Sequence, residues 1–299
     1  MKCVRVPAYA KVNLCLDVLG RRADGYHDLR TIFQTITLHD TLELEANRAG
    51  RIDLRIIGNP ALAGAPGRDN LVHRALDKLR RELRLRQGVR AVLTKRIPVG
   101  GGLGGGSSDA AAALIGLLRL TGKRIETAHL AEIASGLGAD VPFFLHGGRA
   151  LGIGRGDETY PLPDVPRRTL LVVSPRDITV PTRDAYQWLA RRLTKHPDTP
   201  KLWRFCAQCW SPQGGALSND FEAAVFPRYS RLAAIKRELL RQGAAGASLA
   251  GSGSAVFGIF QNPAKARRAA RAFPKDQVFV CSTLSRADYR RKLGGPDFV

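Results

Sequence analysis

The strongest chemical signal in the 299-residue sequence is a run of glycines at positions 98–108. The run consists of Pro98, Val99, Gly100, Gly101, Gly102, Leu103, Gly104, Gly105, Gly106, Ser107 and Ser108. Glycine at this density costs backbone entropy on folding, but it lets backbone amides approach a ligand closely. A helix predicted to start near Ser107 adds the positive end of its dipole, so the run predicts a phosphate-binding site for a nucleotide. The Ser107 and Ser108 hydroxyls are available there for phosphate oxygens or a magnesium ion.

Two well-known phosphate-binding loops fit these glycines poorly. Gly100, Gly102 and Gly105 match a GxGxxG spacing, but the strand before them does not open a βαβ unit. No Gly-Lys-Ser or Gly-Lys-Thr follows, which excludes a Walker loop. A flexible surface loop is disfavoured as well, because the glycines lie between a predicted strand and a predicted helix with a capping serine.

The elements that must position this run are predicted from hydrophobic periodicity. In the first half, strands are expected at 4–18, 31–38, 41–46, 52–57 and 89–94, and helices at 71–85, 107–120 and 127–135. In the second half, helices are expected at 182–193, 231–241 and 264–272, and strands at 169–174, 255–260 and 277–282. Ser107 is the expected N-cap of its helix and Gly122 the terminator. The sequence thus predicts an α+β protein of two domains, residues 1–165 and 166–299.

The charge of the chain raises a second class of function. It has 47 Lys and Arg against 26 Asp and Glu, a formal net charge of +21, which is typical of proteins that bind nucleic acid or acidic membranes. The basic segments 74–96 and 265–292 nevertheless alternate with aliphatic residues and lack interleaved aromatic side chains. We therefore expect neither a nucleic-acid nor a membrane partner, and keep a basic nucleic-acid-binding protein as the alternative.

Targeting and redox signals point to the cytoplasm. No apolar run is long enough to span a bilayer, and the N-terminus lacks the continuous apolar core of a signal peptide. The five cysteines, Cys3, Cys15, Cys206, Cys209 and Cys281, are too few for a disulfide framework. Cys206 and Cys209 form one CxxC without a second ligand pair, so we interpret them as two thiols on one helical turn.

Three segments together resemble the GHMP kinases, a family that includes galactokinase, homoserine kinase and mevalonate kinase. They are the glycine run, residues 8–14 (Ala-Tyr-Ala-Lys-Val-Asn-Leu) and residues 247–257, so the resemblance covers nearly the whole chain. Residues 24–27 (Asp-Gly-Tyr-His) and 137–144 resemble the branch that phosphorylates a cytidine-diphosphate-linked methylerythritol. The resemblance implies a two-domain α+β kinase with its active site between the domains, and ATP and Mg²⁺ as cofactors. Another small-alcohol kinase, of mevalonate or homoserine type, is the alternative within the family. The nucleic-acid-binding alternative then corresponds to a basic protein on a dead kinase fold.

The resemblance assigns the catalytic pair to Lys11 and Asp140. Phosphoryl transfer needs a carboxylate near the attacking hydroxyl and a cation that neutralises charge. Burial alone would raise the pKa of a carboxyl, so a base among apolar residues needs a cation beside it, and Lys11 is expected there. Without the flanking motif, Asp140 would be interpreted as a helix cap or turn residue.

The resemblance also assigns the two ligand sites. ATP is expected along residues 98–108, with Asn70 and Lys95 near the adenine or the phosphates, although Asn70 also suits a helix N-cap. In the acceptor site, Tyr26 and Tyr186 are expected to sandwich a cytosine while His27 contacts its edge, and Asn13 to bind the erythritol hydroxyls. Gly251, Ser252 and Gly253 are expected to close over the acceptor phosphates. An exposed helical tyrosine is the alternative for Tyr186, and a ligand-free turn is the alternative for the two glycines.

Overall fold

The computed structural model describes residues 3–58, 67, 69–190, 202–209 and 217–294. Within these residues the first half of the chain builds a mixed sheet with the order β3-β4-β2-β1-β8, and β5 and β6 extend it beside β2. Its strands are β1 (Cys3–Arg21), β2 (His27–Asn47), β3 (Ile52–Ile57), β4 (Gly88–Thr94), β5 (Arg149–Gly154), β6 (Glu158–Pro161) and, from the second half, β8 (Ser218–Asn219).

The long antiparallel ribbon of β1 and β2 dominates this sheet, with register irregularities at Tyr9/Lys11 and Asn13/Cys15. The sequence predicted two strands, 31–38 and 41–46, in place of β2, and this division was wrong. A polar pair at His39 and Asp40 looked like a turn, but the strand continues through it. Asp40 is fully buried and its carboxylate has several partners, so the polar residue does not end the strand.

The described residues of the first half form four helices: α1 (Leu71–Glu82), α2 (Gly105–Thr121), α3 (Thr127–Ser135) and α4 (Phe143–His146). Helices α1 and α2 pack against the sheet, α3 packs against α1, and α4 packs against α2. The alanine-rich α2 is buried on nearly every side, and a Cβ at Gly116 would lie 2.6 Å from Leu44 of β2. This small-residue helix therefore sits directly on the sheet and brings its N-terminus to a fixed place.

The start of α2 differs from the prediction. The helix begins at Gly105 and its N-cap is Gly104, which has a φ of +71°, so the prediction that Ser107 is the N-cap was wrong. A left-handed residue at Gly104 turns the chain into the helix three residues earlier than a capping Ser107 would. Ser107 therefore lies inside the first turn, where its backbone N–H is one of the groups at the positive helix end.

The second half forms a four-stranded sheet with the order β11-β7-β10-β9. Its strands are β7 (Thr169–Ser174), β9 (Gly246–Leu249), β10 (Val256–Phe260) and β11 (Gln277–Ser282), and the remaining described helices are α5 (Thr182–Ala190), α6 (Leu202–Cys209), α7 (Phe221–Val225), α8 (Ser230–Arg241), α9 (Pro263–Ala270) and α10 (Arg286–Leu293). The predictions for β7, β11 and α3 were confirmed at both ends. The last three residues of the helix predicted over 182–193 lie outside the described residues.

Two contacts tie the two α+β halves of the chain together. Strand β8 pairs in parallel with β1 through Cys15 and Leu16. Helix α10 packs its Tyr289 into the core of the first half, where the hydroxyl donates to the Phe144 carbonyl at 2.6 Å. The domain boundary after residue 165 stays a prediction.

The CxxC lies in α6, as one helical turn predicts. Cys206 is a buried free thiol that packs near Cys15 and Phe205. In the described ranges no three His, Cys, Asp or Glu side chains come together as metal ligands would. Over the same part of the chain, no helix has the length and apolar character that a bilayer crossing needs.

Candidate active site

Two cavities lie on opposite sides of the glycine loop, by which we mean residues 98–104. The larger has a volume of about 730 Å³ and is lined from both halves of the chain, including Lys11, Asp140 and Ser252. The smaller, about 220 Å³, is lined by the loop, Asn70, Lys95 and the start of α2. Gly102 lines both, so the loop forms the wall between them.

Three glycines of the loop have a left-handed backbone, with φ of +72° at Gly100, +74° at Gly102 and +71° at Gly104. A Cβ at Gly102 would lie 1.9 Å from the Ala250 carbonyl oxygen, a distance that no side chain tolerates. At this position the close approach is to the protein's own backbone, whereas the sequence predicted an approach to a ligand. The loop is therefore locked against the second half of the chain before any ligand enters.

The segment that contacts the loop is the predicted Gly251-Ser252-Gly253 turn. Beyond it, the backbone N–H groups of Ser254 and Ala255 donate to the carbonyls of Gly100 and Gly101, both at 3.1 Å. Gly251 lies beside the catalytic candidate, because a Cβ there would be 3.4 Å from Lys11 Nζ. The turn thus forms one wall of the larger cavity through Gly251 and Ser252, whereas Gly253 lines neither cavity.

Lys11 and Asp140 come together in the larger cavity. Lys11 Nζ is 3.4 Å from Asp140 Oδ2, with the lysine side chain 5% exposed and the carboxylate 32% exposed. Nζ also donates to Asn13 Oδ1 at 2.8 Å, and Asn13 Nδ2 donates to Thr31 Oγ1 at 2.7 Å. The ammonium is therefore held rigidly by its strand, while Asp140 is open to a hydroxyl in the cavity. This arrangement suits proton transfer to a carboxylate with a cation beside the developing charge.

An aromatic cluster occupies another part of the larger cavity. The rings of His27 and Tyr186 stack at 4.8 Å between centroids, and Phe221 meets Tyr186 edge-on at the same distance. Burial and the charge of Asp140 raise the pKa of Tyr186, which is not the exposed helical tyrosine of the alternative interpretation. Tyr26 lines the same cavity but is 55% exposed, beneath the Arg155 guanidinium at 5.0 Å.

The stack of His27 on Tyr186 was not predicted. The sequence placed Tyr26 and Tyr186 on either side of a base and His27 at its edge, and that sandwich stays a prediction. His27 Nε2 is buried without a hydrogen-bond partner, so among the described groups nothing competes for it. Burial and the neighbouring Arg21 charge lower the pKa of His27, which favours the neutral ring.

The smaller cavity is lined by the loop and by Asn70, Lys95 and Asp109, among others. Asn70 caps α1, accepting from the Val72 N–H at 2.9 Å, and also lines the cavity, so both of its predicted roles are compatible with its position. Lys95 lines the cavity too, but its ammonium is bound between Asp40 and Asp109, at 2.6 Å from the latter. Burial and the neighbouring Asp40 carboxylate raise the pKa of Asp109, and the Lys95 ammonium acts in the opposite direction. Ser108 is buried, and its hydroxyl has no partner among the described groups.

Sequence reasoning missed several residues of the site. Thr31, Phe221 and three arginines line the larger cavity without having been singled out. The arginines are Arg21, Arg155 and Arg183. Arg21 adjoins the 24–27 motif and could have been suspected, but the others carry no local signal because arginine is common throughout this basic chain.

Models of known families match both halves of the chain. The GHMP kinases N terminal domain matches residues 70–148 and the GHMP kinases C terminal domain matches residues 202–278. A 4-diphosphocytidyl-2-C-methyl-D-erythritol kinase of Solibacter usitatus is 46% identical over 290 residues, covering 95% of this chain and 89% of that protein. The chain belongs to the GHMP kinase family. It is accordingly an ATP-dependent kinase.

Other GHMP kinases extend the comparison. The 4-diphosphocytidyl-2-C-methyl-D-erythritol kinase of Geobacter sulfurreducens is 42% identical, covering 90% of this chain and 94% of its own. A crystal structure of 4-(cytidine 5'-diphospho)-2C-methyl-D-erythritol kinase superimposes with a TM-score of 0.78 at 34% identity, covering 94% of this chain and 99% of that one. Homoserine kinase from Cytophaga hutchinsonii, at 19% identity and a TM-score of 0.67, shares the fold.

Proposed function

We propose that this GHMP kinase transfers the γ-phosphoryl group of ATP to the 2-hydroxyl of 4-diphosphocytidyl-2-C-methyl-D-erythritol, a step of non-mevalonate isoprenoid synthesis. The observation that carries the proposal is the Lys11–Asp140 pair, 3.4 Å apart in a large cavity that one glycine-loop wall separates from a second cavity. The 4-diphosphocytidyl-2-C-methyl-D-erythritol kinases that this chain resembles over nearly its full length support this choice of acceptor.

The chemistry follows from this geometry. The acceptor oxygen attacks the γ-phosphorus, its proton passes to the Asp140 carboxylate, and the bond from the γ-phosphorus to the bridging oxygen breaks to release ADP. Lys11 compensates the charge on the transferring group, and the N–H groups of the glycine loop and of the first turn of α2 bind the phosphates. In such a reaction the protein contributes mainly position and electrostatics.

A magnesium ion fits this proposal as a companion of the nucleotide. Mg²⁺ commonly takes only one or two protein ligands beside substrate phosphates and water, so it does not need a cluster of carboxylates. The Ser107 hydroxyl lines the larger cavity beside the loop, and the Ser108 hydroxyl is buried without a partner. These two hydroxyls are the candidates to hold phosphate oxygens or the ion, which would neutralise phosphate charge.

The lining of the larger cavity supports a nucleotide-linked acceptor. Its charged lining groups are Lys11, Arg21, Arg155, Arg183 and Asp140, an excess of positive charge that suits a diphosphate. Its aromatic side chains suit a pyrimidine base, since a base stacked on an aromatic ring gains roughly 1 to 3 kcal/mol. In this proposal Tyr26, His27 and Tyr186 bind the cytosine, Asn13 binds the erythritol hydroxyls, and Gly251 and Ser252 face the phosphates.

The test is ATP consumption with a panel of acceptors. We expect a high kcat/KM for the cytidine-diphosphate-linked alcohol, poor use of methylerythritol phosphate, which lacks the cytidine, and no turnover of mevalonate or homoserine. Losing the remote anchor should lower the rate as well as the affinity, because binding energy holds the hydroxyl in place. Efficient use of mevalonate or homoserine would assign a different GHMP substrate.

We propose no nucleic-acid partner, and the same preparation tests that point. Non-specific binding to phosphates should weaken steeply as salt rises. Tight binding of a defined nucleic acid at physiological salt, together with no turnover of any acceptor, would favour the nucleic-acid-binding alternative. The cytoplasmic location expected from the sequence stays a prediction.

A further inference from the structure

Three buried charged groups lie at the base of the glycine loop. The side chains of Asp40, Lys95 and Asp109 are 0%, 5% and 5% exposed, and the Lys95 ammonium contacts both carboxylates. With both carboxylates ionised, two negative charges face one ammonium beside a site for phosphates. The charge of this cluster therefore does not favour phosphate binding nearby. The importance of the cluster lies instead in the chain segments that it connects.

Asp40 reaches the chain just before the loop. Its Oδ1 accepts from the backbone N–H of Ile97 at 2.8 Å and from that of Arg96. These two residues directly precede Pro98, where the loop begins. One oxygen of Asp40 thus fixes the direction in which the chain enters the loop.

The other oxygen of Asp40 is linked through Lys95 to the chain just after the loop. Oδ2 contacts Lys95 Nζ, which in turn donates to Asp109 Oδ2 at 2.6 Å in α2. The entry and exit also touch directly, because a Cβ at Gly105 would lie 3.0 Å from Ile97 and 3.4 Å from Lys95 Nζ. The two ends of the loop are therefore in contact with each other.

Asp40 does not line either cavity, whereas Lys95 and Asp109 line the smaller one. Its carboxylate is enclosed in the middle of β2 and cannot touch a nucleotide in this conformation. Apart from the effect of its charge, any influence of Asp40 on nucleotide binding must then pass through the residues that it contacts.

We propose that Asp40 is a positioning residue for the nucleotide phosphates: through Lys95 and Asp109 it joins the entry and exit of the glycine loop and holds the loop N–H groups in their binding geometry. The proposal rests on ATP occupying the smaller cavity. ATP titration of the native protein shows separately whether the nucleotide binds. The role of Asp40 is then measured as the ratio of the dissociation constant of ATP in the variant to that in the native protein.

The decisive variant is Asp40→Asn, which keeps the shape but turns one oxygen into a donor facing the Lys95 ammonium. We expect the dissociation constant of ATP, measured by calorimetric titration without acceptor, to rise about tenfold or more. At saturating ATP, the KM of the acceptor should change by less than about threefold. Charge alone predicts the opposite sign for ATP, because the variant removes one negative charge near the phosphates. A weaker affinity therefore reports geometry.

The matched control is Asp276→Asn. Asp276 is a carboxylate only 6% exposed, paired with Arg231 at 2.6 Å in the second half of the chain, and it lines neither cavity. Asp276→Asn should lower the melting temperature about as much as Asp40→Asn does. It should leave the affinity for ATP within about twofold of the native value. A general loss of stability is thereby separated from a loss of loop geometry.

Two results would overturn the proposal: ATP binding by Asp40→Asn at native strength or tighter, or an equal loss in Asp276→Asn. If Asp40→Asn yields no folded protein, Asp109→Asn replaces it. That variant leaves the Lys95–Asp40 pair and the loop entry intact and weakens only the exit. We expect a smaller loss of ATP affinity in the same direction, and unchanged or tighter binding would overturn the proposal equally.

Discussion

The two cavities beside the glycine loop are built from different material. The smaller is lined by the loop, the start of α2 and aliphatic side chains of neighbouring elements, and its charged side chains, Lys95 and Asp109, are paired with each other. The larger is lined by side chains from β1, β2, α5 and the turn at Gly251, with charged groups open to the cavity. Among the described residues, the lining of the smaller cavity includes no arginine and no aromatic side chain, whereas three arginines, two tyrosines and a histidine help to line the larger one.

This difference separates a general task from a specific one. Backbone N–H groups bind phosphates whatever molecule carries them, so a loop of glycines can serve many kinases of one fold. Side chains select one acceptor by stacking and charge, and they are drawn from scattered positions. Substitutions on the two sides of the loop should therefore affect different kinetic constants.

The largest effect is expected for Asp140→Asn, which removes the proposed base and keeps the shape of the cavity. Turnover should fall by about 10²- to 10⁴-fold, the usual cost of losing a general base, while the dissociation constant of ATP hardly moves. Single-turnover assays and ATP titration measure the two quantities. Asp53→Asn, on the exposed face of β3 away from both cavities, is the control and should behave as native. Near-normal turnover of Asp140→Asn would remove it from the chemistry.

The next effect is expected at the shared wall, in Gly102→Ala. The alanine Cβ would lie 1.9 Å from the Ala250 oxygen in a left-handed conformation, so the loop must shift. Left-handed strain and overpacking together should cost about 2 to 5 kcal/mol of folding stability. The affinity for ATP should fall and the KM of the acceptor should rise. Unlike the other substitutions, Gly102→Ala should change both ATP binding and acceptor binding, because Gly102 lines both cavities.

Gly122→Ala is the control for Gly102→Ala. Gly122 has a φ of +67°, but nothing lies within 4 Å of its would-be Cβ, so only the backbone strain remains. It should lose about 1 to 2 kcal/mol of stability and keep both affinities. Thermal unfolding and ATP titration of the pair test the difference, and equal ATP affinities in the two variants would contradict a shared wall.

A side-chain effect is expected for Tyr186→Ala in the larger cavity. Losing one stacking partner should weaken acceptor binding by roughly 5- to 150-fold and leave ATP affinity unchanged. Tyr186→Phe keeps the ring and should bind the acceptor nearly as well as the native protein. Tyr160→Ala, a half-exposed tyrosine outside both cavities, controls for a general loss of aromatic surface. Equal acceptor binding by Tyr186→Ala and the native protein would exclude the cytosine sandwich.

The sequence predicted the smaller cavity better than the larger one. A contiguous run of glycines before a helix carries its own physical explanation, and the structure puts that run at the cavity wall. The pairing of Lys11 with Asp140 depended on family resemblance, because 129 positions separate them and no local pattern links them. Arg155 and Arg183 could not be found at all, since tertiary packing and no local pattern brings each of them to the cavity.

Errors of detail came from polar residues with partners far along the chain. Asp40 looked like a turn because a lone aspartate in a strand is unfavourable unless something satisfies it. Its partners, Lys95 and the backbone of Ile97, lie more than fifty positions away. Local propensity cannot contain that information, and the helix start at Gly105 was missed for the related reason that the conformation of Gly104 is fixed by its contacts with Lys11 and Phe144.

The smallest effect is expected from the arginines that line the larger cavity. It is detected by measuring the KM of the acceptor at low and at high salt. Arg183 is exposed at the start of α5, so its attraction for an acceptor diphosphate is partly screened. Arg183→Gln should raise the acceptor KM about two- to fivefold at low salt and less at high salt, without changing ATP affinity. Arg290→Gln removes an equally exposed charge from α10, away from both cavities, and should change neither constant. Because both variants lower the net charge by one unit, a rise in acceptor KM confined to Arg183→Gln reports a local contact, whereas equal rises would assign the effect to the overall basic charge of the protein.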